Sequence, residues 1–398
     1  MIPEELLDEL DRRLGPVDAA RLAAYPGEPS SRQPVHTCYV PADAVVPGLV
    51  TTWGETALAA LDEHGLPGLG LDAGLVEQVL PRVRAKLEAE PVEDLRVDAE
   101  DGYRGSPAAE DDDVTAAAAV LAAEPALPPF LGVRAKSLEA PTRRRGIRSL
   151  GLFLTGLAGS GRDRAVVTLP KVTAVEQVTA FLPVLDALQQ ASGLALDLEL
   201  QVETPQAVLG ADGTATLARM LHAGAGRVTG LHYGTYDYSA ALGIAAAHQS
   251  SDHPAADAAK QTMQVAVAGT GARAVDGSTN VVPVGPTAQV HAAWQVHAGL
   301  VRRALERGFY QGWDLHPAQL VTRYVATYAF YRAALPAAAA RLAAYVGRVE
   351  GGVLDEPATA RALATVVLRG LDCGALDVAE VEEATGLDRA ALDGLAGR

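Results

Sequence analysis

The chain has 398 residues, 49% of them hydrophobic, which is enough for a sizeable core and for a barrel of roughly 250 residues with additions. Lys and Arg total 33 against 49 Asp and Glu; the resulting charge of −16 excludes a general nucleic-acid binder, which needs a basic face, but not a locally basic pocket for small anions. Cys38 and Cys373 are too few for a disulfide framework and have no metal-type CxxC spacing, no apolar run reaches the ~20 residues of a membrane span, and the N-terminus lacks a signal-peptide pattern, so a cytoplasmic protein with no membrane partner is expected.

A helix is predicted over residues 3–14, with Pro3 near its start, Leu6, Leu7, Leu10 and Leu14 at helical spacing, and Gly15 ending it. Strands follow at Thr37–Val40, Leu95–Ala99, Gly132–Ala135, Ala165–Leu169, Leu196–Val202, Val228–Tyr233, Ala272–Val275 and Gly312–Leu315, separated by Ala-rich helical stretches. This alternation predicts parallel βα units, in a (β/α)₈ TIM barrel or a doubly wound sheet. The long connections include two helices within 44–93, an acidic run Glu110–Asp113 that reads as a solvated helix start within 104–129, and a polar stretch His248–His253 within 239–271. From about Ala334 only helices are expected. The division is therefore an N-terminal helical extension at 1–35, a barrel at 36–333, and an oligomer-contacting C-terminal helical appendage at 334–398.

The strand Leu196 to Glu203 alternates apolar residues with Asp197, Glu199, Gln201 and Glu203. In an antiparallel sheet that polar face would be solvated. In a βα series helices cover the outside, so it points into the barrel, where carboxylates need a cation or a donor network. Glu203 ends this strand and Asp237 follows the next; neighbouring parallel strands are about 4.8 Å apart, so the two converge at the mouth, and a carboxylate pair suits Mg²⁺ with its retained waters, Mn²⁺ being the alternative. Asp237 also reads as a helix N-cap, and His232 reads as a core histidine rather than a metal ligand.

Arg134 and Lys136 end the third strand, as a carboxylate clamp or as structural partners of barrel carboxylates. Lys171 ends the fourth, and nothing near it marks it as a desolvated Schiff-base lysine. Arg143–Arg145 with Arg148 read as a solvated face or a phosphate contact. Asp98, Glu100 and Asp101 form an acidic cluster after the second strand, placed to hold metal waters, an arginine or the next loop. Phosphate-binding GxxxxGK[ST], GxSxG and HExxH patterns do not occur in the sequence.

Together these strand ends resemble the metal-dependent aldolase family that includes the citrate lyase β-subunit, malyl-CoA lyase and citramalyl-CoA lyase, from about Thr37 to about Ala362. Tyr39-Val40-Pro41 resembles the family's Phe-Val-Pro, Asp98-Ala99-Glu100-Asp101 its Asp-Leu-Glu-Asp, and Leu169-Pro170-Lys171 its Leu-Pro-Lys. Arg134, in Val133–Leu138, stands where the family has the arginine of Arg-Val-Asn, and Val202-Glu203-Thr204 resembles Ile-Glu-Thr. Gly234–Asp237 followed by Leu242-Gly243 resembles Gly-Ala-Glu-Asp followed by Leu-Gly, Ala274–Gly277 resembles Ala-Ile-Asp-Gly, and Gly308-Phe309, Gly312 and Leu315–Gln319 resemble the Gly-Phe, Gly, Ile-His-Pro-x-Gln signature. Gly352–Pro357 is similar to Met-Ile-Asp-x-Pro.

The resemblance implies a Mg²⁺-dependent carbon–carbon lyase of retro-aldol or Claisen type acting on a 2-oxo or hydroxy acid, with the acid free or as a CoA thioester. Glu203 and Asp237 become metal ligands, and Arg134, Lys171 and Asp355 catalytic residues, Asp355 reaching from a neighbouring subunit or else serving only as a helix cap. Arg134, Lys136, Glu100, Asp101 and Pro317 become substrate contacts. Alternatives are a CoA-independent class II aldolase and a non-catalytic barrel binding an organic acid. The sequence departs from the family in having Val35-His36 where relatives have Arg-Ser, and in connections 44–93 and 104–129 expected to rise over the mouth, where a CoA tail would lie.

Overall fold

Each of the eight Val- and Leu-rich runs forms a strand in a computed structural model that describes residues 2–347 and 356–398. The elements in order are α1 (Glu4–Ala24), β1 (His36–Pro41), α2 (Leu49–His64), α3 (Ala73–Ala89), β2 (Asp94–Asp98), α4 (Glu110–Ala123), β3 (Phe130–Arg134), α5 (Arg143–Gly156), β4 (Arg164–Leu169), α6 (Val175–Ser192), β5 (Ala195–Val202), α7 (Pro205–Val208), α8 (Thr216–Ala223) and β6 (Val228–Tyr233). They continue as α9 (Thr235–Ala241), α10 (Pro254–Val267), β7 (Arg273–Val275), α11 (Thr287–Glu306), β8 (Gly312–Asp314), α12 (Gln319–Gly347), α13 (Pro357–Asp372), α14 (Val378–Thr385) and α15 (Arg389–Ala396). All strand pairs are parallel, in the order β7-β6-β5-β4-β3-β2-β1-β8. Between the sheet's two ends the Asp276 N–H donates to the Gln311 carbonyl at 2.9 Å, closing the ring. This is the (β/α)₈ barrel, and the doubly wound alternative is excluded.

The strands' period of two divides their residues between two environments. Leu95, Val97, Val133, Val167, Leu198, Leu200 and Leu231 share one buried apolar cluster with Val114, Phe153, Phe181, Leu185 and Met220 of the surrounding helices. The opposite faces build a polar barrel interior, where aliphatic layers are the norm. Arg96 is fully buried there; its guanidinium donates to Asp94 Oδ1 (2.7 Å), Glu199 Oε2 (2.8 Å) and Thr168 Oγ1 (3.1 Å). His232 accepts from the Trp313 indole N–H at Nδ1 (3.0 Å), which leaves Nε2 facing Glu199 at 3.1 Å, so it is the core histidine that was expected. Burial alone would raise the Glu199 carboxyl, but Arg96 and His232 hold it well below the usual range. Arg96→Leu strips Asp94 and Glu199 of their cation; it should destabilise the protein by about 3–5 kcal/mol, the cost of breaking a buried pair, read as the shift in the urea-unfolding free energy. A loss below 1 kcal/mol would show that the network is not fully desolvated.

Four expectations need correction. The first helix does not stop at Gly15 but runs through Gly15 and Pro16 to Ala24; it has no buried residue, so water can take the Arg12 carbonyl that Pro16 leaves unpaired. The connections 44–93 and 104–129 do not roof the mouth with helices: α3 packs on α12, α2 on α3, α11 and α12, and α4 on α5, all in the outer layer. Glu110 is not solvated, because α4 packs against α5 and buries it against Ser149 (2.8 Å) and Arg145 (3.1 Å). The 333/334 boundary falls inside α12, on which α13 and α14 pack, and Leu342, Val367, Leu368, Val381 and Leu392 form a second apolar cluster there. Among the described residues no helix is long and apolar enough to cross a membrane.

Candidate active site at the barrel mouth

The strands' C-terminal ends surround a cavity of about 420 Å³ lined by Tyr39, Pro41, Asp98, Asp101, Gly102, Arg104, Arg134, Glu203, Gly234–Asp237, Ser278, Trp313 and Leu315. Glu203 is 2% exposed at the end of β5, with Oε1 accepting the Lys171 backbone N–H at 2.6 Å. An ideal Cβ at Gly234 would stand 2.7 Å from Glu203 Oε2, so the glycine after β6 makes room for this carboxylate. Asp237 lies in the first turn of α9, whose N-cap is Gly234; the N-cap reading of Asp237 is therefore wrong. The structure brings Glu203 and Asp237 to the same cavity.

Lys171 spans the opening. Its backbone is left-handed (φ 52°), and its ammonium meets Glu100 (2.7 Å), Asp101 (2.6 Å) and, at 3.7 Å, Asp237. Arg134 is 6% exposed, with its guanidinium 4.8 Å from the centre of the Tyr39 ring. Its fork is taken by Asp98, through Nε to Oδ1 (2.8 Å) and Nη2 to Oδ2 (2.5 Å). Asp98 also accepts the N–H groups of Glu100 and Gly102, both at 2.9 Å, which uses up its acceptor capacity. Nη1 of Arg134 remains, 3.9 Å from Glu100. With the Gln201 amide oriented to satisfy both neighbours, its oxygen accepts from Arg134 Nη1 at 3.1 Å and its nitrogen donates to Glu203 Oε1 at 3.2 Å. Gln201 thus links the guanidinium to the carboxylate.

The electrostatics are unbalanced toward the negative. Asp98, Glu100, Asp101, Glu203 and Asp237 face Arg134, Lys171 and, on the exposed rim, Arg104. Burial pushes the Glu203 carboxyl up to about 7 against the pull of Lys171 and Arg134. Burial likewise raises Asp237, opposed by Lys171 and reinforced by Asp101. Two under-compensated carboxylates, one with an oxygen not engaged by Lys171, form a donor set that fits a hard divalent cation.

Other expected residues lie elsewhere. Lys136 turns away from the cavity, donating to the Ala99 carbonyl at 3.0 Å beside Glu110 (3.5 Å). Pro317 does not line it either; the His-Pro-x-Gln segment builds the turn into α12, where Gln319 Oε1 accepts the N–H groups of Leu315 (2.8 Å) and His316 (3.2 Å). Asp355 lies outside the described residues. Arg145 pairs with Glu110 and Arg148 with Asp111 (2.6 Å). His36 sits at the N-terminal end of β1, so Val35-His36 replaces the family's Arg-Ser far from the mouth. Sequence reasoning missed Arg104, Gln201 and Trp313 as parts of the site; Gln201 shares Glu203's strand face, a signal that was present.

One further cluster offers metal-type ligands: single ligand atoms of His36, Cys38 and Asp314 lie within 4.8 Å of one another. Its electron pairs are committed. His36 Nε2 accepts the Glu93 N–H (3.0 Å), so Nδ1 carries the proton that faces Asp314 (3.1 Å), and Asp314 also meets Arg323 (2.9 Å) and His297 (3.1 Å). Burial drives the Cys38 thiol far up, so it stays protonated.

The model of a family described as a domain of unknown function, DUF6986, matches residues 14–398. No curated protein sequence matches the chain. Among solved structures, a citrate lyase from Burkholderia xenovorans is 20% identical, with 89% of this chain and 99% of that one covered and a TM-score of 0.57. The lead(II) complex of Haloferax volcanii malate synthase is 14% identical over 75% of this chain and 74% of that one, with a TM-score of 0.53. The CitE protein of Mycobacterium tuberculosis in complex with magnesium and acetoacetate is 18% identical over 85% and 98%, with a TM-score of 0.48. The structural neighbours are thus of the group the strand-end motifs resemble, and the likeness is one of fold.

Proposed function

The chain belongs to the DUF6986 family, and we propose that it is a metal-dependent carbon–carbon lyase, of retro-aldol or Claisen type, acting on a small 2-oxo or hydroxy acid. The observation that carries this reading is the under-compensated pair Glu203 and Asp237, set across one small cavity from the remaining N–H edge of Arg134. Glu203 and Asp237 would hold Mg²⁺ or Mn²⁺, which supplies Lewis acidity toward the substrate's carboxylate and carbonyl oxygens.

The chain's own residues do the rest. Arg134 Nη1, fixed by Asp98 and Gln201, orients the substrate carboxylate and stabilises charge as it grows next to it. Lys171 holds Glu100 and Asp101 in place and favours the ionised form of Asp101; pinned by three carboxylates and fully charged, its ammonium is a positioning group and a poor Schiff-base nucleophile. Tyr39 and Trp313 cover the apolar side of Arg134 and keep water from it. Asp355, by the family resemblance, brings its carboxylate from a neighbouring subunit and moves the proton of the cleaved hydroxyl.

The acidic rim at Asp101 and Asp237 favours a free acid over a CoA thioester, whose phosphates would lie against it. Thermal shift tests both at once, because a ligand at 100 times its Kd adds about 2.7 kcal/mol of stability. With Mg²⁺ present, pyruvate, glyoxylate or oxaloacetate should raise Tm, and acetyl-CoA and propionyl-CoA should not. Stabilisation by the thioesters alone would make the CoA-dependent lyase the better reading, and no shift with any acid or thioester would refute the lyase.

A further inference from the structure

The barrel has a second opening, at the end opposite the mouth. A cavity of about 340 Å³ lies at the N-terminal ends of the strands, with Pro29, Ser31 and Pro34 of the segment between α1 and β1 forming part of its wall. That volume is within the range of small-molecule sites, which begins at roughly 300 Å³. Phe130 adds apolar surface, and the innermost wall is the buried network of Arg96, Asp94, Glu199 and His232. Barrels are usually packed solid with side chains at this depth. Here Gly230 contributes none, and a Cβ on it would come within 3.3 Å of His232 Nε2.

The cavity holds three carboxylates and three guanidiniums, but two guanidiniums serve all three carboxylates. Asp94 accepts from Arg96 (2.7 Å) and from Thr37 (2.8 Å), and Glu199 accepts from Arg96 (2.8 Å) and faces His232 (3.1 Å). Both oxygens of Asp197 accept from Arg164 Nη1 at 2.7 Å. Arg273, the first residue of β7, is the cation left over. Val275, two positions on, packs with Tyr39 and Trp313 inside the barrel, so the strand's period of two turns Arg273 inward as well. Its Nη2 donates to the Ser31 carbonyl (2.7 Å) and hydroxyl (3.0 Å), and among the described residues no carboxylate pairs with it. Burial, joined by the nearby Arg369, draws the guanidinium down to about 10, so it is still charged at neutral pH. Arg398 acts in the same direction, and Glu28 and Glu199 against it; Glu28 is engaged by Arg369 at 3.2 Å. A buried cation of this kind gains from a negative partner. We propose that this cavity is a second ligand site, in which Arg273 receives the oxyanion group, carboxylate or phosphate, of a small organic anion.

The test uses the full chain and two probes, inorganic phosphate and succinate, titrated by calorimetry at constant ionic strength with chloride as the balancing salt. At least one probe should bind saturably, and Arg273→Gln should raise its Kd by roughly ten- to a hundredfold, as the loss of a charge-assisted contact does. Binding of phosphate alone assigns the site to a phosphorylated ligand, and binding of succinate alone to a carboxylic acid. Arg134→Gln, which removes the guanidinium at the mouth, should leave the titration unchanged. Arg273 also ties down Ser31, so circular dichroism must show the Arg273→Gln protein folded. Should it not fold, wild-type crystals soaked in whichever probe binds should show it against the Arg273 guanidinium. Failure of both probes to bind, an unchanged Kd in folded Arg273→Gln, binding lost in Arg134→Gln, or a soaked probe found only elsewhere would overturn the proposal.

Discussion

Glu203→Gln is expected to reduce Mg²⁺ affinity by at least about 100-fold, the upper end of what losing an outer-shell partner of a metal site costs. It should abolish turnover while leaving the barrel folded. Without metal the same substitution should stabilise the protein, and the sign follows from the burial of Glu203. Its folded-state value of about 7 lies above the ordinary 4.5, so the stability it contributes is present below 4.5 and is lost as the pH rises through 7. The difference amounts to roughly 3 kcal/mol that the glutamine variant keeps at pH 8. Metal binding has the opposite dependence, since the ligand must be deprotonated: wild-type affinity should climb as the pH approaches 7 and then level off. Calorimetry with Mg²⁺ at pH 6 and pH 8, with urea unfolding of the metal-free pair, reads all of this. Equal metal affinity in wild type and variant would remove Glu203 from the site, and a less stable metal-free variant at pH 8 would show that its charge is already compensated.

How much of this was legible in the sequence differs by scale. The eight strands were, because buried parallel strands are runs of Val and Leu broken by helices that must cross back over the sheet. The inward polar face of β5 was legible for the same reason, since period-two alternation has only one dry side in a barrel. What the alternation does not encode is which carboxylate is already compensated. Glu199 and Glu203 stand on the same face of one strand region, yet Arg96 and His232 neutralise Glu199 whereas Glu203 is left over. That distinction depends on pairings across strands, invisible along one. The two lysines at strand ends make the same point. Lys171 has a left-handed backbone that directs it over the opening, and Lys136, equally placed in the sequence, turns to Ala99 and Glu110. The helix stop assigned to Gly15 failed because glycine ends a helix only when the following chain has somewhere better to go.

Arg134→Lys is the sharper test of chemistry, because it keeps the charge and removes the geometry. In the wild type Nε and Nη2 grip Asp98, leaving Nη1 to reach a ligand. A lysine has one ammonium on a flexible stem; it can face Asp98 or the substrate, but cannot brace against one while donating to the other. Losing one charge-assisted hydrogen bond costs about 1.5–3 kcal/mol, or roughly ten- to a hundred-fold in kcat/KM. If Arg134 were only the structural partner of Asp98, the lysine variant would lower the unfolding temperature and turn over normally wherever it is folded. If Arg134 clamps the substrate, the loss persists at temperatures well below unfolding, and KM for the acid rises because the ground state uses the same contact. Arg134→Ala adds a second readout, for the space left between Asp98 and the Tyr39 ring should admit free guanidinium and regain part of the activity. Wild-type kcat/KM in the lysine variant would take Arg134 out of the mechanism and leave the carboxylate of the substrate to Lys171 or Arg104.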